Sequence, residues 1–148
     1  MRIEKLWSIG YWVSTAVVAA PLVLGGAIDA AAPPGAIAFL AHLGYPAYFA
    51  SIIGVWKVLG GIAILAPRFP RLKEWAYAGI VFDLSGAAVS HAAVGDGARF
   101  VLTPLILTAL AVASWSLRPS TRKLPASHAE PAPKPAAERS EPSALAAT

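Results

Sequence analysis

The chain has 148 residues, 57% of them hydrophobic and only 14% charged, with a mean hydropathy of +0.60. Soluble domains carry about 25% charged residues, so the deficit excludes an ordinary water-soluble globule and points to lipid as the solvent. The basic balance (net charge +4, pI ≈ 9.7) forms no nucleic-acid patch, because its cations flank apolar runs, and the absence of cysteine excludes disulfides, thiolate metal sites and a cysteine nucleophile.

A first span is expected from about Ile9 to Ile28. Roughly 20 apolar residues suffice to cross a hydrocarbon core of about 30 Å. The run exceeds the roughly 7–15 residues of a signal-peptide core and contains Trp12, so a retained span is favoured even though Ala30, Ala31 and Ala32 would suit cleavage. Pro33-Pro34 then break the chain, and Gly35 to Leu43 reads as a short apolar helix capping the helix ends, stopped by Gly44 and Pro46. The second span is expected over Tyr48 to Ala66, the third over Trp75 to Val94 and the fourth over Phe100 to Leu117. Pro21 and Pro104 are tolerable there, because neighbouring helices re-satisfy the carbonyls that proline frees. The fold class is therefore all-α, a four-helix transmembrane bundle over residues 1–118. From Pro119 to Thr148 the composition turns to Pro, Ala, Ser, Glu and Lys, which cannot bury enough surface to offset its ordering entropy and reads as a disordered tail.

Positive charge sets the orientation. Arg2 and Lys5 precede span 1, Arg68, Arg71 and Lys73 join spans 2 and 3, and Arg118, Arg122 and Lys123 follow span 4. The span 1–2 linker has no Lys or Arg and the span 3–4 linker only Arg99, so both termini are expected to be cytoplasmic. Trp7, Trp75 and Trp115 fall at one boundary and Tyr45 and Tyr48 at the other, as an aromatic belt requires.

The most informative residues are Lys57 and Asp83, each 13 positions from Pro70 and hence at about the same depth in antiparallel spans. An intramembrane charge is expensive and by default marks a site with a partner. Lys57 shares a helical face with Gly54 and Gly61, and Asp83 shares one with Gly79, Gly86 and Ser90. Small residues let membrane helices approach closely, so these faces are expected to meet, bringing Lys57 and Asp83 together as a structural ion pair or a ligand-handling site. His91 flanks the same face as Ser90 toward the outer boundary and, with His42, Asp29 and Asp96, can form an outward-facing N/O cluster. No pair among these has the spacing of a preformed helical metal site, so no metal is expected. Ser85, Ser90, Thr103, Thr108 and Ser114 are expected to bond to carbonyls within the bundle. No phosphate loop, nucleophile elbow or close carboxylate pair is visible, so no catalytic residue is assigned.

The segments His42-Leu43-Gly44-Tyr45-Pro46, Ile53-Gly54-Val55-Trp56-Lys57-Val58-Leu59-Gly60 and Leu72-Lys73-Glu74-Trp75-Ala76-Tyr77-Ala78-Gly79, followed by Phe82-Asp83-Leu84 and Ser90-His91, resemble the DoxX-like family of small bacterial membrane proteins over about Tyr11 to Leu117. The resemblance implies a four-helix transmembrane bundle in the bacterial inner membrane. Founding members are associated with a terminal quinol oxidase and others with oxidative-stress complexes. Asp29 departs from the family pattern, where a lysine often follows the small residues ending span 1. Two function classes follow. One is a non-catalytic scaffold or accessory subunit with no cofactor, partnered by the bilayer and by a membrane complex or further copies of itself. The other is a quinone-linked redox or small-molecule transport component using Lys57 and Asp83.

Overall fold

The computed structural model describes residues 2–119 and 122–123, with side chains from Lys5 onward. Apart from Pro119, Arg122 and Lys123, the segment expected to be a disordered tail lies outside the described residues. Five helices and no strand are present among the described residues: α1 (Arg2–Ala31), α2 (Pro34–His42), α3 (Ala47–Leu65), α4 (Pro70–Ala93) and α5 (Ala98–Ser116).

Local sequence explains where these helices start and stop. α1 ends where Ala32 turns left-handed (φ 47°) ahead of Pro33. α2 and α4 each begin on a proline, Pro34 and Pro70, whose missing N–H is no loss in a first turn. Gly44 (φ 88°) and Gly95 (φ 76°) close α2 and α4 in the left-handed conformation that favours glycine. α1 and α4 start earlier than the apolar spans they contain, because the polar residues before Ile9 and Trp75 continue the helix beyond the hydrophobic run. At 30 residues, α1 is about 45 Å long and outreaches a hydrocarbon core of about 30 Å.

α1 from Lys5, α3 and α5 are long and apolar enough to cross a membrane. α4 falls short of them in hydropathy, diluted by Asp83, Ser85, Ser90 and His91. Packing runs in a closed ring: α1 lies antiparallel to α3, α3 antiparallel to α4, α4 against α5, and α5 back against α1. The core combines Val18, Ala19, Leu22, Ile64, Tyr77, Ile80, Leu84 and Ala111. Trp56, Trp75 and Phe82 point outward with 66–80% of their surface exposed, whereas Thr15, Lys73 and Ser114 are buried. A polar interior beneath an apolar exterior is the distribution lipid imposes.

Candidate functional site

The site is set by how tightly α3 sits on α1. A Cβ placed on Gly54 would collide with Ala30 N and come within 2.6 Å of Gly26 O, and one on Gly26 within 2.7 Å of Lys57 Cβ. Gly61 is closed in the same way, by Val23 Cγ2 at 2.7 Å. The helices therefore touch backbone to backbone, and the glycine face of α3 is spent on α1. Sequence reasoning assigned that face to α4. The α4 glycines contradict this, since a Cβ on Gly79 or Gly86 would meet nothing within 4 Å, and α3 reaches α4 instead through Gly60 beside Ile80.

This crossing carries Asp29, one turn beyond Gly26, to the side chain of Lys57. The Lys57 ammonium donates to Asp29 Oδ2 at 3.1 Å, with both side chains largely shielded. Asp29 lies in the last turn of α1, where unpaired carbonyls already carry partial negative charge, so a nearby cation offsets an unfavourable placement. No direct ion pair joins Lys57 to Asp83. Asp83 Oδ2 is buried without a hydrogen-bond partner. Both residues nonetheless face the same space, a cavity of about 440 Å³ between α3 and α4. Its wall is otherwise almost wholly apolar, with Ile53, Trp56, Leu72, Trp75 and Ile80 among its members.

At the outer end, Asp96 bridges two imidazoles, with His91 Nδ1 at 2.6 Å from Oδ2 and His42 Nε2 at 2.8 Å from Oδ1. Hydrogen bonds from His91 and then His42 hold the Asp96 carboxyl below the usual carboxylate range. His91 lies between the rings of Phe39 and Phe100, each 5.5 Å away, and the hydroxyls of Ser90 and Tyr45 are 2.7 Å apart. The arrangement fastens α2 and its following turn over the outer end of α4. Of the four outer residues grouped from sequence, His42, His91 and Asp96 come together and Asp29 does not. No group of three or more His, Asp or Glu side chains among the described residues is arranged to hold a metal.

A second polar layer, at the inner end, was not assembled from sequence. Ser114 Oγ lies 2.6 Å from Thr15 Oγ1 and 2.7 Å from Tyr77 Oη, linking α1, α4 and α5 in the buried interior. The fully buried Lys73 donates to the carbonyls of Ala63 (3.0 Å), Ile64 (2.8 Å) and Ala66, closing the C-terminus of α3. Burial, with the Arg122 and Arg118 guanidiniums, lowers its ammonium to about 8. Arg118 pairs with Glu74 at 2.7 Å, and Trp115 Nε1 donates to the same carboxylate. Partial burial pushes Glu74 up, but these two donors and the Arg118 charge outweigh it and leave its carboxyl lowered. Arg122 donates to Tyr11 Oη at 3.1 Å and lies 4.8 Å over the Trp12 ring. Positive-inside counting saw Lys73, Arg118 and Arg122 only as orientation signals. The available hint was Tyr11 and Thr15 spaced four apart on α1. Thr103, Thr108, Ser85 and Ser90 do bond to carbonyls three or four residues back, as membrane hydroxyls commonly do, whereas Ser114, expected to do the same, bonds to the hydroxyls of Thr15 and Tyr77 that its helix crossing brings near.

The α3–α4 cavity is therefore an apolar space with two ionisable groups in its wall, the Lys57 ammonium engaged by Asp29 and the Asp83 carboxyl. No curated protein and no solved structure matches the chain. The DoxX-like family model matches residues 13–114. With three apolar helices of spanning length and this match over most of its length, the chain is a membrane protein and belongs to the DoxX-like family.

Proposed function

We propose that this protein is a multi-pass accessory subunit of the bacterial inner membrane that holds a small amphiphile in the α3–α4 cleft and carries out no reaction on it. In this reading α4 is the fourth span, and both termini are cytoplasmic. The charge pattern supports that topology, because Arg68, Arg71, Lys73, Arg118, Arg122 and Lys123 share one end of the ring of helices with the start of α1. The observation that carries the proposal is Asp83, which lines an otherwise apolar cavity and whose buried Oδ2 has no hydrogen-bond partner. Buried polar groups are normally satisfied, and each exception needs a reason. A ligand donor that draws the Asp83 carboxyl round toward the cavity is the reason we propose.

A second reading, a quinone-linked redox or transport component, is favoured by the presence of an ammonium and a carboxylate on one cavity wall. Ring oxygens of a quinone or quinol would find a donor in Lys57 and an acceptor in Asp83. Native mass spectrometry of protein released from nanodiscs, with analysis of the extracted molecule, tests both. Wild type is expected to retain a small amphiphile, and Gly79→Leu, which fills open cleft space without a clash, is expected to lose it. Equal retention by the two proteins contradicts the cleft reading. An extracted quinone transfers support to the second.

A further inference from the structure

The cavity is not uniform along its length. Lys57 and Asp83 lie at one end, and the wall then runs along α4 through Ile80, Ala76 and Trp75 to Leu72. From Asp83 to Leu72 is 11 residues, or about 16 Å of helix at 1.5 Å per residue. The polar end is at mid-helix and the apolar length extends toward the inner end, flanked by the outward-facing Trp56 and Trp75. Such a cleft has room for one polar head and one extended chain, inserted sideways from lipid.

Charge decides which head fits. Lys57 is already neutralised by Asp29 at 3.1 Å, and that carboxylate comes from α1, outside the cavity wall. Asp83 feels that same Lys57 charge but makes no salt bridge with it, and its Oδ2 has no donor at all. The balance at the polar end is thus one cation against two carboxylates, with the unmet demand on Asp83. An anionic head would add to the negative charge, and a ketone or ester head, though it would find a donor in Lys57, would leave Asp83 without one. A primary or secondary ammonium brings both the missing positive charge and the N–H donors. Charge-assisted hydrogen bonds of this type are shorter and stronger than neutral ones.

We infer that the cleft is selective for lipophilic amines, molecules with a single alkyl-type chain along α4 and an ammonium on Asp83. This rests on the cleft reading above and specifies its ligand class. The test is competitive native mass spectrometry of the full chain with an equimolar mixture of dodecylamine, dodecanol and dodecanoate, which share one chain length. Dodecylamine is expected to be retained about tenfold over either competitor, the effect of one charge-assisted hydrogen bond. Asp83→Asn, nearly isosteric, is expected to erase that preference while Gly79→Leu lowers retention of all three. Dodecanol or dodecanoate retained as well as the amine, yet still displaced in Gly79→Leu, overturns the amine assignment and leaves the cleft standing. Retention of all three unaffected by Gly79→Leu removes the cleft itself. A preference for amine that survives in Asp83→Asn also overturns the assignment.

Discussion

The two sides of α3 differ more than their sequences suggest. Toward α1 it presents Gly54, where the neighbouring backbone leaves no room for a methyl group, and Gly61, where the Val23 side chain fills the space. Toward α4 it presents Gly60 and Ala63 among larger apolar residues, and a cavity of about 440 Å³ separates the helices. Within a membrane, helix association depends on packing and polar contacts because lipid is as apolar as the side chains. The tight side thus holds the structure together, and the loose side leaves the space in which we propose a ligand. Lys57 lies at the junction, with its Cβ packed against Gly26 and its ammonium drawn to α1.

Substitutions can break this contrast in graded steps. The largest effect is expected for Gly54→Leu, where backbone atoms of α1 occupy the required space. Overpacking of a filled site costs about 1–3 kcal/mol and sometimes more, and here the loss of folded protein in detergent should be near complete. Gly79→Ala and Gly86→Ala, on the open side, are expected to be neutral or to stabilise by up to about 1 kcal/mol, the helix-propensity gain over glycine. Equal damage from both sets of variants would remove the distinction between the two sides.

Lys73→Met is expected to cost about 1–3 kcal/mol, because three carbonyls at the end of α3 lose their donor. Its pH signature is specific. With the folded-state ammonium lowered from 10.5 to about 8, the unfolded chain binds more protons between those values. Wild-type stability should therefore rise as pH climbs through that window, and the rise should be absent in Lys73→Met. Thermal melts across that range check it. The smallest effect is expected at the outer end. Asp96→Ala should leave the melting temperature nearly unchanged but speed amide exchange in α2, which loses the His42 contact.

Much of the architecture was legible in the amino-acid pattern. Apolar runs located the long helices, Pro33-Pro34 and Pro46 bracketed the short α2, and Lys57 and Asp83 were found as residues sharing one region. What was misread was the partner of each face. Helical periodicity shows that Gly54, Lys57 and Gly61 lie together, but not which neighbour they meet. Chain adjacency suggested α4, whereas the matching small residues were Gly26 and Ala30 on α1. Asp29 was placed with His42, His91 and Asp96 because all lie toward the outer side, yet the close crossing of α1 and α3 brings it to Lys57. The Thr15–Ser114–Tyr77 cluster was hidden for a similar reason, since its members come from three helices and none carries a charge.

The central claim is that Lys57 is held by Asp29, leaving Asp83 without a salt-bridge partner. Double-mutant cycles with matched conservative variants, Lys57→Met with Asp29→Asn and Lys57→Met with Asp83→Asn, measure it directly through unfolding free energies. Breaking a fully buried pair costs about 3–5 kcal/mol, so a partly shielded pair should show a coupling of about 1–2 kcal/mol. That coupling is expected between Lys57 and Asp29, with a value no more than half as large between Lys57 and Asp83. The larger coupling appearing between Lys57 and Asp83 would contradict the assignment and restore a lock between α3 and α4.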